Sequence, residues 1–152
     1  MNLIGLGKAS AQLNFYIENI PPLKEYQSLE ICRPMQIGEI KTIAELTGNH
    51  WRKIFNVYAK IIFELSSPPY NSWQEFRDNA LMQAHSNENL LFNLPAQAIL
   101  QNLSTKNTFN NNISIIMGKS FATKLGLSQR CHWLSTEFAI NTEKIIIDMP
   151  LF

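Results

Sequence analysis

Two short apolar runs constrain this chain more than any other feature: Ile113-Ser114-Ile115-Ile116-Met117 and Lys144-Ile145-Ile146-Ile147. A strand with one wet face alternates polar and apolar residues. A nearly continuous β-branched run instead belongs to a strand covered on both faces, as in the parallel centre of an α/β sheet. Gly118 ends the first run, and Lys119 to Leu125 then reads as a helix closed by Gly126. Strand, crossover helix and strand imply a right-handed parallel unit. The expected fold class is therefore α/β: a single three-layer domain over residues 1–152, with a central, mostly parallel sheet flanked by helices.

Upstream, Leu13-Asn14-Phe15-Tyr16-Ile17-Glu18 alternates with the period of a strand that has one buried face. No periodic pattern survives between Pro22 and Met35, which reads as loop. Ile37, Ile40, Ile43, Ala44 and Leu46 trace a helical stripe ended by Gly48. A second helix follows at once, with Asn49 as its cap and Trp51, Ile54, Phe55, Tyr58, Ile61, Ile62 and Leu65 on one face. Ser72-Trp73-Gln74-Glu75 has the spacing of a capping box and starts a short helix. His85 to Asn89 reads as loop, Pro95 opens a helix to about Leu103, and Ser104 to Asn112 is the segment expected to be most mobile.

Charge and composition exclude several classes. Thirteen Lys plus Arg against twelve Asp plus Glu leave a net charge of +1, too little for a strong nonspecific hold on a phosphate backbone. Nucleic acid is thus not indicated as a partner. The amino-terminal ten residues lack a signal-like apolar stretch, and no run approaches the ~20 residues that span a bilayer. A cytoplasmic address and no membrane partner are expected. Cys32 and Cys131 lack paired spacing and read as free thiols.

Few residues suggest chemistry. Gly118-Lys119-Ser120 joins a buried strand to a helix start, where free amides and a cation attract an anion. It is not a P-loop, because Ile113 stands where that pattern needs glycine. Open parallel sheets bind ligands beyond the carboxyl ends of their strands, an edge that would also hold Glu18, Asn19 and Asp148. Gly118, Lys119, Ser120 and Asn19 are the expected ligand-binding residues, with Glu18 and Asp148 as candidate catalytic carboxylates. No cofactor is implied. Cys131-His132-Trp133 gathers site-prone residues, but adjacent side chains chelate poorly and no metal is expected. The stripe from Trp51 to Leu65 reads as core, yet is wide enough to serve a homodimer interface.

Two resemblances add to this. Phe15-Tyr16-Ile17-Glu18-Asn19, Asn49-His50-Trp51-Arg52-Lys53, Ser72-Trp73-Gln74-Glu75-Phe76-Arg77-Asp78 and Ile116-Met117-Gly118-Lys119 resemble a small family of bacterial proteins with no assigned activity. Ile115 to Gly126 is similar to the strand, glycine, helix, Leu-Gly segment of uracil-DNA glycosylase-like domains. In those domains an early acidic loop corresponds to Glu18-Asn19-Ile20-Pro21. A late His-Pro-Ser motif corresponds to Asp148-Met149-Pro150, without its histidine. The leading expectation is a domain that binds a small ligand, a nucleotide or other phosphorylated metabolite. The alternatives are a nucleobase-processing hydrolase of the glycosylase-like fold and a helix-mediated interaction module.

Overall fold

A computed structural model describes residues 3–92, 113–127, 129, 131–134, 138–140 and 145–148. The strands are β1 (Gly5–Gly7), β2 (Leu13–Ile17), β3 (Cys32–Arg33), β4 (Glu88–Phe92), β5 (Ile113–Met117), β6 (His132–Trp133), β7 (Phe138–Ile140) and β8 (Ile145–Asp148). The helices are α1 (Lys24–Gln27), α2 (Glu39–Thr47), α3 (Asn49–Ser66), α4 (Trp73–Asn79) and α5 (Lys119–Lys124). Among the described residues these eight strands join one sheet in the order β3-β1-β4-β2-β5-β8-β7-β6.

The sheet is mixed, which corrects the expectation of a mostly parallel one. Its centre, β4-β2-β5-β8, is parallel. On one side β1 runs antiparallel to β4, and on the other β7 and β6 continue as an antiparallel ribbon from β8. The strand, helix, strand unit holds, since β5 and β8 are parallel neighbours. The chain between α5 and β8 adds two outer strands that single-sequence patterning passed over, because β6 and β7 have only two and three residues.

Alternate strand positions feed two apolar clusters. Phe15, Ile17, Leu90, Phe92, Ile115 and Met117 pack with Ile43, Trp51, Phe55, Tyr58 and Phe76 of α2, α3 and α4. Tyr16, Leu91 and Ile116 pack instead with Phe121, Ala122, Leu125 and Leu127 around α5. The sheet-facing stripe of α3, spaced at three and four residues, is thus taken up inside the chain; Phe15 and Tyr58 stack at 4.6 Å. At the far end of that stripe Leu65 stays exposed.

The alternation in β2 has a different cause from the one expected. Asn14 faces no solvent: Asn89, Asn14 and Ser114 lie in register across three adjacent strands and all three are fully buried. Asn89 Nδ2 donates to Asn14 Oδ1 and to the Lys8 carbonyl, each at 2.9 Å, and Asn14 Nδ2 donates to the Gln12 carbonyl at 3.3 Å. Buried amides need such partners: the neighbouring strand supplies one and the connection between β1 and β2 the other two, while Asn89 Oδ1 finds none among the described residues.

Local starts and stops differ in detail. Ser72 caps α4 as expected, accepting from the Glu75 amide at 3.1 Å, while Glu75 reaches back to the Asn71 amide at 2.9 Å. For α3 the cap position falls on Gly48, φ 88°, with no side-chain cap bond. Asn49 already lies inside the helix, and its Oδ1 accepts from Arg52 Nη1 at 3.1 Å. Between Pro22 and Met35, read as loop, lie α1 and β3; β4 begins within the segment assigned to a loop around His85 to Asn89. The expected helix from Pro95 to Leu103 and the mobile segment from Ser104 to Asn112 lie outside the described residues.

Candidate functional site

Register places the strand ends. Ile17 pairs with Phe92 on one side and Met117 on the other, and Met117 pairs with Asp148. The four parallel strands therefore finish level. With neighbouring strands ~4.8 Å apart, the backbones at Ile17 and Asp148 lie about 10 Å from each other. Glu18 follows Ile17 and Gly118 follows Met117, so Glu18, Asn19, Gly118, Lys119 and Ser120 and the backbone of Asp148 share one edge of the sheet.

This edge is also where the winding reverses. From β2 the chain crosses by α2, α3 and α4 to β4 on one side. From β5, the next strand over, it crosses by α5 to β8 on the other side, against the opposite cluster. Crossovers that leave adjacent strands in opposite directions part at their carboxyl ends and open a crevice there, the common ligand position in open α/β sheets.

Three polar contacts furnish the edge. Glu18 pairs with Lys124, the last residue of α5; the Lys124 side chain is largely exposed and that of Glu18 partly so. Asn19 Nδ2 lies 3.2 Å from His50 Nε2, which puts the first turn of α3 against the loop leaving β2. Lys119 holds its Nζ 4.7 Å from the centre of the Trp133 ring. Trp51 meets Phe92 edge-on at 6.2 Å, so the amino end of the 18-residue α3 sits over the ends of β4 and β2. With no side-chain cap on that helix, its partial positive charge is directed at the same edge as Lys119 and Lys124.

Gly118 has φ 108° and ψ 127°, a conformation closed to ordinary side chains, and this lets β5 turn straight into α5. Ser120 is exposed and does not cap α5, whose cap position is Gly118 with no side-chain bond. Sequence reasoning passed over His50 as a neighbour of this edge, because its contact with Asn19 spans 31 residues of chain.

It also passed over a polar cluster at the start of α2. Glu39 accepts from Arg33 Nη2 at 2.7 Å, Arg33 Nη1 at 3.3 Å, the Tyr26 hydroxyl at 2.7 Å and the Gln36 amide at 2.8 Å. Burial opposes the charge on Glu39, but these donors outweigh it and hold its carboxyl below the usual range. Burial and the Glu39 bond push the Tyr26 hydroxyl well up. The cluster lines a cavity of about 510 Å³, yet every acceptor site of the carboxylate is taken. It ties β3 to α2 rather than presenting a reactive group.

Among the described residues no group of three metal-ligating side chains converges, Cys32 and Cys131 are half-buried and joined in no disulfide, and no helix is long and apolar enough to cross a membrane. The chain matches no curated protein and no solved structure. A family model does match over residues 4–152, nearly the whole sequence, and by that match the chain belongs to the family of unknown function DUF6942.

Proposed function

We propose that this chain is a three-layered α/β domain that binds a small anionic ligand, a nucleotide or other phosphorylated metabolite, in the crevice between the carboxyl ends of β2 and β5. The observation that carries the reading is the reversal of winding at those two strands, with Asn19 on one lip and Gly118, Lys119 and Ser120 on the other. Support comes from what surrounds it: the uncapped start of α3, His50 beside Asn19, and the Lys119 and Lys124 cations. A phosphate would draw Lys119 from the Trp133 face and Lys124 from Glu18, exchanging two exposed contacts of small worth for charge-assisted bonds.

Lys124 engages one oxygen of the Glu18 carboxylate, the candidate water-activating base.

The test is thermal unfolding of the intact chain against a panel of nucleotides and inorganic phosphate at millimolar concentration. A ligand present at ten times its Kd should raise the midpoint by about 3 °C, by mass action on the folded state. Lys119→Ala should abolish that rise while leaving the unliganded midpoint nearly unchanged, since the side chain is exposed. A flat response across the panel removes the reading.

A further inference from the structure

The outer side of α3 forms a second place for a ligand. Opposite its sheet-facing stripe, Arg52 and Asn56 line a cleft of about 370 Å³ with Ile40, Ala44 and Lys41 of α2 and Arg77 of α4. A second cavity of about 170 Å³, which reaches Leu81, shares Ile40, Lys41, Arg77 and Asp78 with it. The cleft itself lies near the lower end of the ~300–1,000 Å³ typical of small-molecule sites.

Its donors are fixed by chemistry. Arg77 gives Nε and Nη2 to the two Asp78 oxygens at 2.8 and 3.1 Å, and Nη1 to Asn56 Oδ1 at 2.6 Å. The guanidinium also lies over the Trp73 ring at 5.4 Å, with Lys60 at 4.7 Å from the same ring, so its plane is held. A guanidinium has no acceptor, so the Asn56 oxygen must be the atom that faces it. The amide nitrogen of Asn56 is then turned away, with its two N–H groups lacking an acceptor among the described residues.

Charge points the same way. Three cations line the cleft against two carboxylates. Asp78 is engaged by Arg77, and Glu45 lies 4.0 Å from Lys41. Arg52 has only the neutral Asn49 oxygen among the described residues. One positive charge and one amide donor thus line the same cleft as the aliphatic side chains of Ile40 and Ala44.

We infer that this cleft binds a small aliphatic carboxylate, its head on Arg52 and the Asn56 amide and its few carbons against Ile40 and Ala44. Arg77 is a positioning residue: it turns the Asn56 amide and does not itself meet the ligand. The site is separate from the crevice between β2 and β5.

The experiment is an NMR titration of the isotope-labelled intact chain with sodium butyrate, observing the Asn56 side-chain NH₂ and the Arg52 and Arg77 Nε–H signals. Saturable shifts are expected at millimolar butyrate, with butanol binding about tenfold more weakly for want of charge. Arg52→Ala, at an exposed position, should weaken butyrate by about tenfold. Asn56→Asp keeps an acceptor for Arg77 but replaces the amide donors with a negative charge, and should abolish saturation. Lys119→Ala should leave the titration unchanged. Shifts that grow linearly without saturating, equal binding by butanol, or unaltered binding by Arg52→Ala would each overturn the inference. Inorganic phosphate binding as tightly as butyrate would overturn its aliphatic part.

Discussion

Glu88 and Glu39 are both withdrawn from water, yet protons act on them in opposite senses because their donors differ. Burial dominates at Glu88 and raises its pKa, against weaker help from the Met82 amide at 2.9 Å, Ser86, the Asn87 amide and His85. No cation pairs with Glu88 among the described residues, and Met82, at φ 57°, relies on that carboxylate to hold its turn. A raised folded pKa means that the folded state binds the proton more tightly than the unfolded one. The Glu88 contribution is therefore full below about pH 4.5, its ordinary value, and is lost as pH rises through the folded value. Glu88→Gln keeps the oxygen acceptor and removes the proton. Urea unfolding across this range should show the variant gaining on the native chain as pH rises; parallel profiles would refute it. Glu39 behaves inversely. Its lowered pKa contributes stability above about pH 4.5 that is lost as pH falls through the folded value. Glu39→Gln should cost about 2 kcal/mol at neutral pH, from lost charge-assisted bonds, and progressively less in acid. None of this was legible in sequence: Glu39 lies 13 residues from Tyr26, and Glu88 stood in a segment read as loop.

At the scale of elements, long periodic segments were legible and short ones were not. The α3 stripe repeats a helical spacing over enough residues to reveal its buried face, the α4 capping box sets one fixed spacing, and the β5 and β8 runs are β-branched enough to mark strands. β1 has three residues, two of them glycine, and no side-chain pattern to read. Its glycines serve approach: a Cβ on Gly5 would stand 2.1 Å from the Leu90 carbonyl oxygen. Gly5→Ala should thus force β1 from β4 at a cost of about 3 kcal/mol, seen as a lower urea midpoint and faster exchange of the Leu90 and Leu91 amides. Gly118→Ala tests backbone strain alone, since its Cβ would meet nothing nearer than 3.9 Å. The φ of 108° should still cost about 2 kcal/mol, with no loss of side-chain packing.

For the whole molecule, the sheet order ranks the strands by protection. β2 is paired on both sides and buried on both faces, while β3 and β6 are two-residue edges. Hydrogen exchange should find β2 amides opening only with global unfolding, and β3 and β6 amides exchanging at least ~100-fold faster. Equal protection across the sheet would contradict the arrangement. The same order accounts for what could be read of the candidate crevice. Lys119 and Ser120 were visible because a strand passing into a helix through glycine is a local signal. That Glu18 and Asn19 lie beside them depends on β2 pairing with β5 across about a hundred residues, which the general rule for parallel sheets anticipated and local pattern could not. His50 needed the tertiary fold itself. The buried row of Asn89, Asn14 and Ser114 bears finally on how the sheet assembles. Aliphatic strands can slide past one another at little penalty, and β2, β4 and β5 are rich in interchangeable Leu, Ile and Phe. Slipping β2 by one residue would swing Asn14 into the apolar cluster under α2, α3 and α4 and strand Asn89 without its mate. The row therefore works as an alignment key, trading some stability for fidelity of assembly: Asn14→Leu should leave a chain that still collapses but loses its single, sharply defined register.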